Sequence, residues 1–154
     1  TEVRREIEYI SSVREKAAEL SVQFSNGEIP KRVTHNDTKI NNVLFDKETE
    51  EGLCVIDLDT VMPGSLLYDY GDALRAGAAT AAEDEPDLSL MWFDMSAFRQ
   101  FTKGYLEEML PVMTDKEIED FAKTKHKGLK EYVKECLNLF NHKSNFNKGD
   151  DYYD

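Results

Sequence analysis

His35-Asn36-Asp37-Thr38-Lys39-Ile40-Asn41-Asn42 has the form H-x-D-x-x-x-x-N, and a little further on the chain reads Ile56-Asp57-Leu58-Asp59. Between the two, residues 43–45 and 53–56 are short apolar runs separated by the polar, glycine-terminated stretch 46–52, the pattern of a β-hairpin. A hairpin returns its ends side by side, so Asp37, Asn42 and Asp57 are expected at one mouth. Two strands of this size cannot stand alone, and the rest of the chain has to supply the body that holds them.

Working outward, that body reads as helical. Upstream, Val3, Ile7, Ile10, Val13, Ala17, Leu20 and Phe24 recur at three- and four-residue steps, one stripe of a helix that ends near Asn26-Gly27 and needs a partner to cover it. Downstream, Met62-Pro63-Gly64 reads as a turn, and the alanine-rich stretch 70–82 as a closely packed helix. Residues 83–87 are acidic, contain Pro86 and read as a solvated loop, while Trp92 and Phe93 are expected to plug the core. Phe98, Phe101, Tyr105 and Met109 mark another amphipathic helix closed by Pro111. Thr114-Asp115-Lys116-Glu117 fits a capping box opening a further helix with Ile118, Phe121 and Ala122 inward. Leu129, Tyr132, Val133, Cys136, Leu137 and Phe140 form the stripe of a last one, and the polar tail 141–154 is expected to fray. The fold class is α+β, mostly helical, with residues 1–140 as one domain.

Composition narrows the function. The 154 residues carry 31 acidic against 19 basic side chains, a net charge of -12. Such a surface repels polyanions, which excludes nucleic acid as a partner but suits a nucleotide handled through divalent cations. Cys54 and Cys136 have no C-x-x-C spacing, no charged segment followed by an apolar run opens the chain, and no apolar run reaches the roughly 20 residues of a membrane span. A reducing, cytoplasmic setting without membrane contact is the reading. His126 and His142 lack partner spacing and are expected at the surface or at helix ends.

The three convergent residues suit phosphoryl transfer, which needs a hydroxyl placed in line with the γ-phosphoryl and cations on the phosphate oxygens. Asp37 can orient the acceptor hydroxyl and take its proton. The Asn42 amide oxygen and the Asp57 carboxylate are hard ligands suited to Mg²⁺.

His35, Asp37 and Asn42 resemble the catalytic loop of the protein-kinase-like superfamily, and Asp57 its second metal-binding aspartate. Leu58-Asp59 replaces the Phe-Gly of protein kinases and is similar to the I-D-x-[DE] pattern of the aminoglycoside phosphotransferase and choline kinase branch. Asp69-Tyr70-Gly71-Asp72-Ala73 resembles the aspartate-rich helix start that follows it there. Within the branch, the runs 33–39 and 55–64 look most like N-acetylhexosamine kinases, and Asn36 stands where many aminoglycoside kinases carry glycine. The resemblance extends from about residue 1 to 110 and fades after Thr114.

The resemblance implies a protein-kinase-like C-terminal lobe whose hairpin carries the metal site, with the nucleotide-clamping N-terminal lobe expected to be absent. It implies ATP and Mg²⁺ as cofactors, Asp37 as base, Asn42 and Asp57 as Mg²⁺ ligands, His35 as a brace and Lys39 near the transferred phosphoryl. Asp59 is expected behind the ligands, and Asp72 as an anchor of the loop. The acceptor it implies is an amino sugar phosphorylated at its anomeric hydroxyl, with aminoglycoside, choline or homoserine as alternatives. A non-catalytic lobe that binds a separate N-terminal lobe, or itself, through the exposed inter-lobe face is the reading from another class.

Overall fold

The computed structural model describes residues 3–123, 131–134 and 136. Helix α1, Arg4–Ser25, follows the apolar stripe and stops where Gly27 takes φ +76°, a left-handed conformation that lacks a Cβ penalty only in glycine. Along the helix Gln23 is buried and Val13, Leu20 and Phe24 are half-buried, while Val3, Ile7 and Ile10 stay exposed. The cover expected for the whole stripe is thus met only in part among the described residues, and not over the first turns.

Two small antiparallel ladders follow. Strands β2, Val43–Phe45, and β3, Gly52–Val55, form the expected hairpin, with Val43 opposite Val55. Asp46 closes its turn by accepting the amides of Glu48 and Thr49 at 2.8 Å each. The second ladder corrects the reading of Met62-Pro63-Gly64 as a turn. These residues are strand β4, Met62–Gly64, paired with β1, Arg32–Thr34, so that Pro63 lies opposite Val33. A two-stranded ladder is all edge, where the missing proline N–H costs little. Gly64 is demanded by the approach: a Cβ there would lie 2.3 Å from Oγ1 of buried Thr34.

Helix α2, Leu66–Gly77, starts earlier and ends sooner than the alanine-rich stretch suggests. Ser65 caps it by accepting from the Leu67 amide. Beyond Gly77 the backbone turns to residues 92–94: Thr80 N–H donates to Trp92 O at 3.1 Å and Asp94 N–H to Ala78 O at 2.7 Å. That pairing, not helix propensity, decides residues 79–82. It also turns Trp92 outward, 71% exposed, with Phe93 half-exposed, against the expectation that both fill the core.

Asp94 then caps α3, Met95–Met109, and Thr114 closes a full capping box with Glu117 on α4, Asp115–Phe121. Ile118, Phe121 and Ala122 face inward as the sequence indicates. Residues 131–134 and 136 are helical, with Val133 and Cys136 buried; Cys54 is exposed. The remaining residues of the last stripe, His126, His142 and the tail lie outside the described residues. The core gathers Leu66, Phe98, Leu106, Leu110, Ile118 and Phe121, with Tyr70 and Phe121 ring centroids 4.4 Å apart. No described helix is long and apolar enough to cross a membrane.

One polar link fixes the strands to this core. Arg32 on β1 donates from Nε and Nη2 to the two oxygens of Glu117 on α4, at 3.1 and 2.8 Å, and from Nη2 to Val112 O at 2.6 Å. Glu117 is wholly buried, and the two-pronged guanidinium supplies the donors its carboxylate needs there. The strand that leads into the His35 loop is thereby tied to the helical body.

Candidate functional site

The loop from His35 to Lys39 has almost no apolar burial to hold it, and carboxylates on α2 take that role. Asp69 and Asp72 stand three residues apart and so share one face of the helix. The Asp69 carboxylate accepts the amides of His35 and Asn36, at 2.8 Å each, one on either oxygen. Asp72 Oδ2 accepts the Thr38 amide at 2.8 Å, and the Thr38 hydroxyl donates to Asp69 O at 2.6 Å. Arg75 braces Asp72 from behind with two donors to Oδ1, at 3.0 and 2.9 Å, and pairs with Glu83. Three main-chain N–H groups of the loop are thus satisfied by side chains from one helix.

Asn36 adopts φ 64°. Asparagine and glycine are the residues that accept this left-handed conformation most readily, a physical reason for either at this point of the loop. Its amide nitrogen donates to Thr60 O at 3.0 Å and Thr34 O at 3.3 Å. Thr60 returns a bond from its hydroxyl to His35 O at 2.7 Å, sewing the loop to the segment that carries Asp57 and Asp59.

His35 makes the second seam. The Asp37 amide donates to its Nδ1 at 3.3 Å, so Nδ1 is an acceptor and the ring proton sits on Nε2, which donates to Ile56 O at 2.9 Å. The ring bridges the amide of Asp37 and the carbonyl next to Asp57. The Ile56 amide in turn donates to Asn42 O at 2.9 Å, which sets the start of β2 against the end of β3.

Asp37 is the centre of this arrangement. Its Oδ2 accepts Asn42 Nδ2 at 2.9 Å and lies 3.2 Å from Lys39 Nζ. Partial desolvation pushes its carboxyl up, but the Lys39 ammonium and the Asn42 amide outweigh this and hold it below the ordinary aspartate value. Asn42 is buried, and its nitrogen also donates to Asp37 O at 2.8 Å. With the nitrogen committed twice, the Oδ1 atom is what Asn42 has left to offer a ligand.

Asp57 takes φ 60° and ψ 56° just after β3, an uncommon conformation outside glycine that a fixed task can justify. The neighbouring Asp59 carboxylate, through hydrogen bonding and its charge, and then desolvation raise the Asp57 carboxyl above its ordinary value. A carboxylate crowded by another is a donor that a divalent cation would relieve. Hard oxygens from Asp57 and the Asn42 amide fit Mg²⁺, which keeps waters and shares phosphate oxygens. Among the described residues no group of three His, Cys, Asp or Glu side chains is placed to hold a metal by itself.

His35, Asp37, Lys39, Asn42, Asp59 and Asp72 therefore lie on segments joined directly to one another or to the strand end that carries Asp57. Sequence reading missed the role of Asp69. It falls inside the quoted Asp69–Ala73 run and shares the Asp72 face, but nothing local reveals the two amides it accepts. Thr60 was likewise silent.

Residues 5–108 match the family model described as APH, phosphotransferase enzyme family.

Proposed function

This chain belongs to the phosphotransferase enzyme family, and from that premise we propose that its His35–Asp59 region serves ATP-dependent phosphorylation of a hydroxyl on a small molecule, most specifically an amino sugar of the N-acetylhexosamine kind. The family carries the protein-kinase-like fold, with which the helical body and its two small ladders agree. In this reading Asp37 orients the acceptor hydroxyl and takes its proton, and its depressed carboxyl is ionised and ready near neutral pH. Lys39 stands beside the transferred phosphoryl, His35 and Asp72 hold the loop, and Asp59 backs Asp57. Asn42 and Asp57 would hold Mg²⁺, which when bound supplies neutralisation of charge on the phosphate oxygens.

The observation that carries the reading is the double seam between loop and hairpin end, His35 to Ile56 O and Ile56 to Asn42 O, both at 2.9 Å. It brings Asp37, Asn42 and Asp57 onto neighbouring backbone, which supports reading them as base and oxygen ligands. The amino-sugar acceptor rests on the likeness of the runs 33–39 and 55–64. The test is phosphoryl transfer from ATP to N-acetylglucosamine, N-acetylgalactosamine, an aminoglycoside, choline and homoserine, using the chain joined to a nucleotide-clamping lobe. Transfer to an N-acetylhexosamine, lost in Asp37→Asn, supports it. Transfer to another acceptor redirects the substrate, and a folded fusion that transfers to none sinks the kinase reading.

A second reading is favoured by the exposure of Leu44, Phe45, Leu53 and Val55 on the hairpin. These residues would seat a separate N-terminal lobe, or a second copy, in a chain that binds without catalysing. Self-association abolished by Leu44→Lys and Leu53→Lys, and indifferent to Asp37→Asn, would favour it; a strictly monomeric chain that ignores an added lobe would count against it.

A further inference from the structure

Asp69, Asp72 and Arg75 follow one another at three-residue steps on α2 and so share the side that holds the His35 loop. The two aspartates accept amides of that loop. Arg75 makes no hydrogen bond to it among the described residues, and what it holds instead is the plane of one carboxylate.

Asp72 divides its oxygens. Oδ1 accepts Nε and Nη2 of Arg75, at 3.0 and 2.9 Å, and Oδ2 accepts the Thr38 amide at 2.8 Å. The last torsion of an aspartate side chain is broad, so its own preferences do not decide which way the carboxylate faces. Two N–H groups of one planar, always charged guanidinium converge on Oδ1 and leave Oδ2 turned to Thr38. The Thr38 N–H belongs to the peptide that leaves Asp37, so the direction of the Asp72 carboxylate bears on Asp37 through one rigid plane.

Arg75 is aimed in turn from outside the helix. Its Nη1 pairs with Glu83, on a loop whose ends are closed: Trp92 N–H donates to Thr80 Oγ1 at 2.9 Å and Thr80 N–H to Trp92 O at 3.1 Å. Within the loop, Glu85 N–H donates to Ala82 O at 3.1 Å, and Asp87 Oδ1 accepts the amide and hydroxyl of Ser89 at 3.0 and 2.7 Å. A surface loop closed and bonded in this way holds a shape of its own. Glu83 is thus carried by a braced segment although its side chain is 67% exposed. At that exposure the pair adds little to stability, and its effect is to confine a guanidinium otherwise bonded only to Asp72. The Glu83 charge also reaches the site: Asp37 raises the Lys39 ammonium above its ordinary value, and Glu83 adds to this.

We propose that Arg75 is a positioning residue for phosphoryl transfer, aimed by Glu83 and acting on Asp37 through Asp72 and the Thr38 amide. This rests on the phosphoryl-transfer reading, in which Asp37 is the base. The first test does not: amide hydrogen exchange by NMR on the chain itself. In Arg75→Gln, Thr38 should exchange about tenfold faster or more, while His35 and Asn36, which Asp69 holds, keep their rates. Arg75→Lys retains the charge without the planar group and should also loosen Thr38. Glu83→Ala should speed Thr38 by a smaller factor, and add nothing in the Arg75→Gln background. Native protection of Thr38 in both Arg75 variants would overturn the proposal. So would equal acceleration at His35, Asn36 and Thr38, or a Glu83→Ala effect undiminished in the Arg75→Gln background. In the chain joined to a nucleotide-clamping lobe, Arg75→Gln should lower kcat about tenfold or more with little change in the acceptor KM. A native fusion that transfers while Arg75→Gln keeps its kcat overturns this proposal alone. A folded native fusion that transfers to no acceptor sinks the phosphoryl-transfer reading, and this proposal with it.

Discussion

The two sides of α2 are held by different forces. Its core side packs Leu66, Leu74 and Tyr70 against Phe98, Leu106 and Phe121, where burial of apolar surface contributes about 25 cal/mol per Å². Its loop side has little to bury. There Asp69 and Asp72 hold the backbone of residues 35–38 by accepting three of its amides, and the neighbouring hairpin keeps all its side chains but Val43 exposed. Apolar packing sets whether the domain stands, and carboxylate-to-backbone bonds set where Asp37 stands. Substitutions on the two sides should therefore part stability from activity.

The widest separation is expected from Asp37→Asn. Loss of a positioned base should cut phosphoryl transfer about 10²–10⁴-fold, while the unfolding midpoint of this partly exposed residue barely moves. A large drop in midpoint would mean that Asp37 is a structural residue and the division fails.

Leu106→Ala tests the opposite side. Leu106 is wholly buried at the centre of the cluster, and its truncation should cost about 2–5 kcal/mol in denaturant unfolding, spread over the whole domain. Transfer per folded molecule should change far less than in Asp37→Asn.

Asp69→Ala sharpens the comparison, since it removes the acceptor of two amides at once. It should cost about 2–3 kcal/mol, felt first as faster hydrogen exchange at His35, Asn36 and Thr38 and as reduced transfer. Global unfolding with no local opening would show that the loop is not held from α2 in the way its hydrogen bonds indicate.

Glu117 joins the two sides through Arg32, and its effect follows pH. Burial pushes its carboxyl up, but the bonds from Arg32 and Thr114 outweigh that and hold it below the ordinary 4.5. A depressed carboxyl stabilises above its unfolded value and loses that contribution as pH falls through its folded value. Urea midpoints should therefore decline below about pH 4.5. In Glu117→Gln, destabilised by about 1–3 kcal/mol near neutral pH, the decline should be shallower. Equal slopes would remove Glu117 from the account.

The same division decides what could be read in the sequence. The site's parts were legible because H-x-D-x-x-x-x-N is contiguous and the hairpin signal next to it is local. Helices α3 and α4 were legible because Phe98, Phe101 and Tyr105 keep a helical period and Thr114 with Glu117 forms a local cap. What failed was whatever depends on distant backbone. Met62-Pro63-Gly64 has turn composition but finds a partner in β1, thirty residues earlier, from Thr34 paired with Met62 onward. Residues 79–82 have helix-forming composition, but residues 92–94 claim their backbone and turn Trp92 outward. Asp69 and Gln23 are the sharper cases. An aspartate or glutamine on a helix looks solvent-facing until the segment that buries it is known.

The most direct test of the central claim is thermal unfolding with Mg²⁺ and ATP titrated together against the chain, beside Asp57→Ala. A ligand selective for the folded state raises the midpoint, by the equivalent of about 2.7 kcal/mol at a hundredfold excess over its Kd. The account predicts a rise that needs both Mg²⁺ and Asp57. A rise undiminished in Asp57→Ala, or no rise even after a nucleotide-clamping lobe is joined, would contradict it.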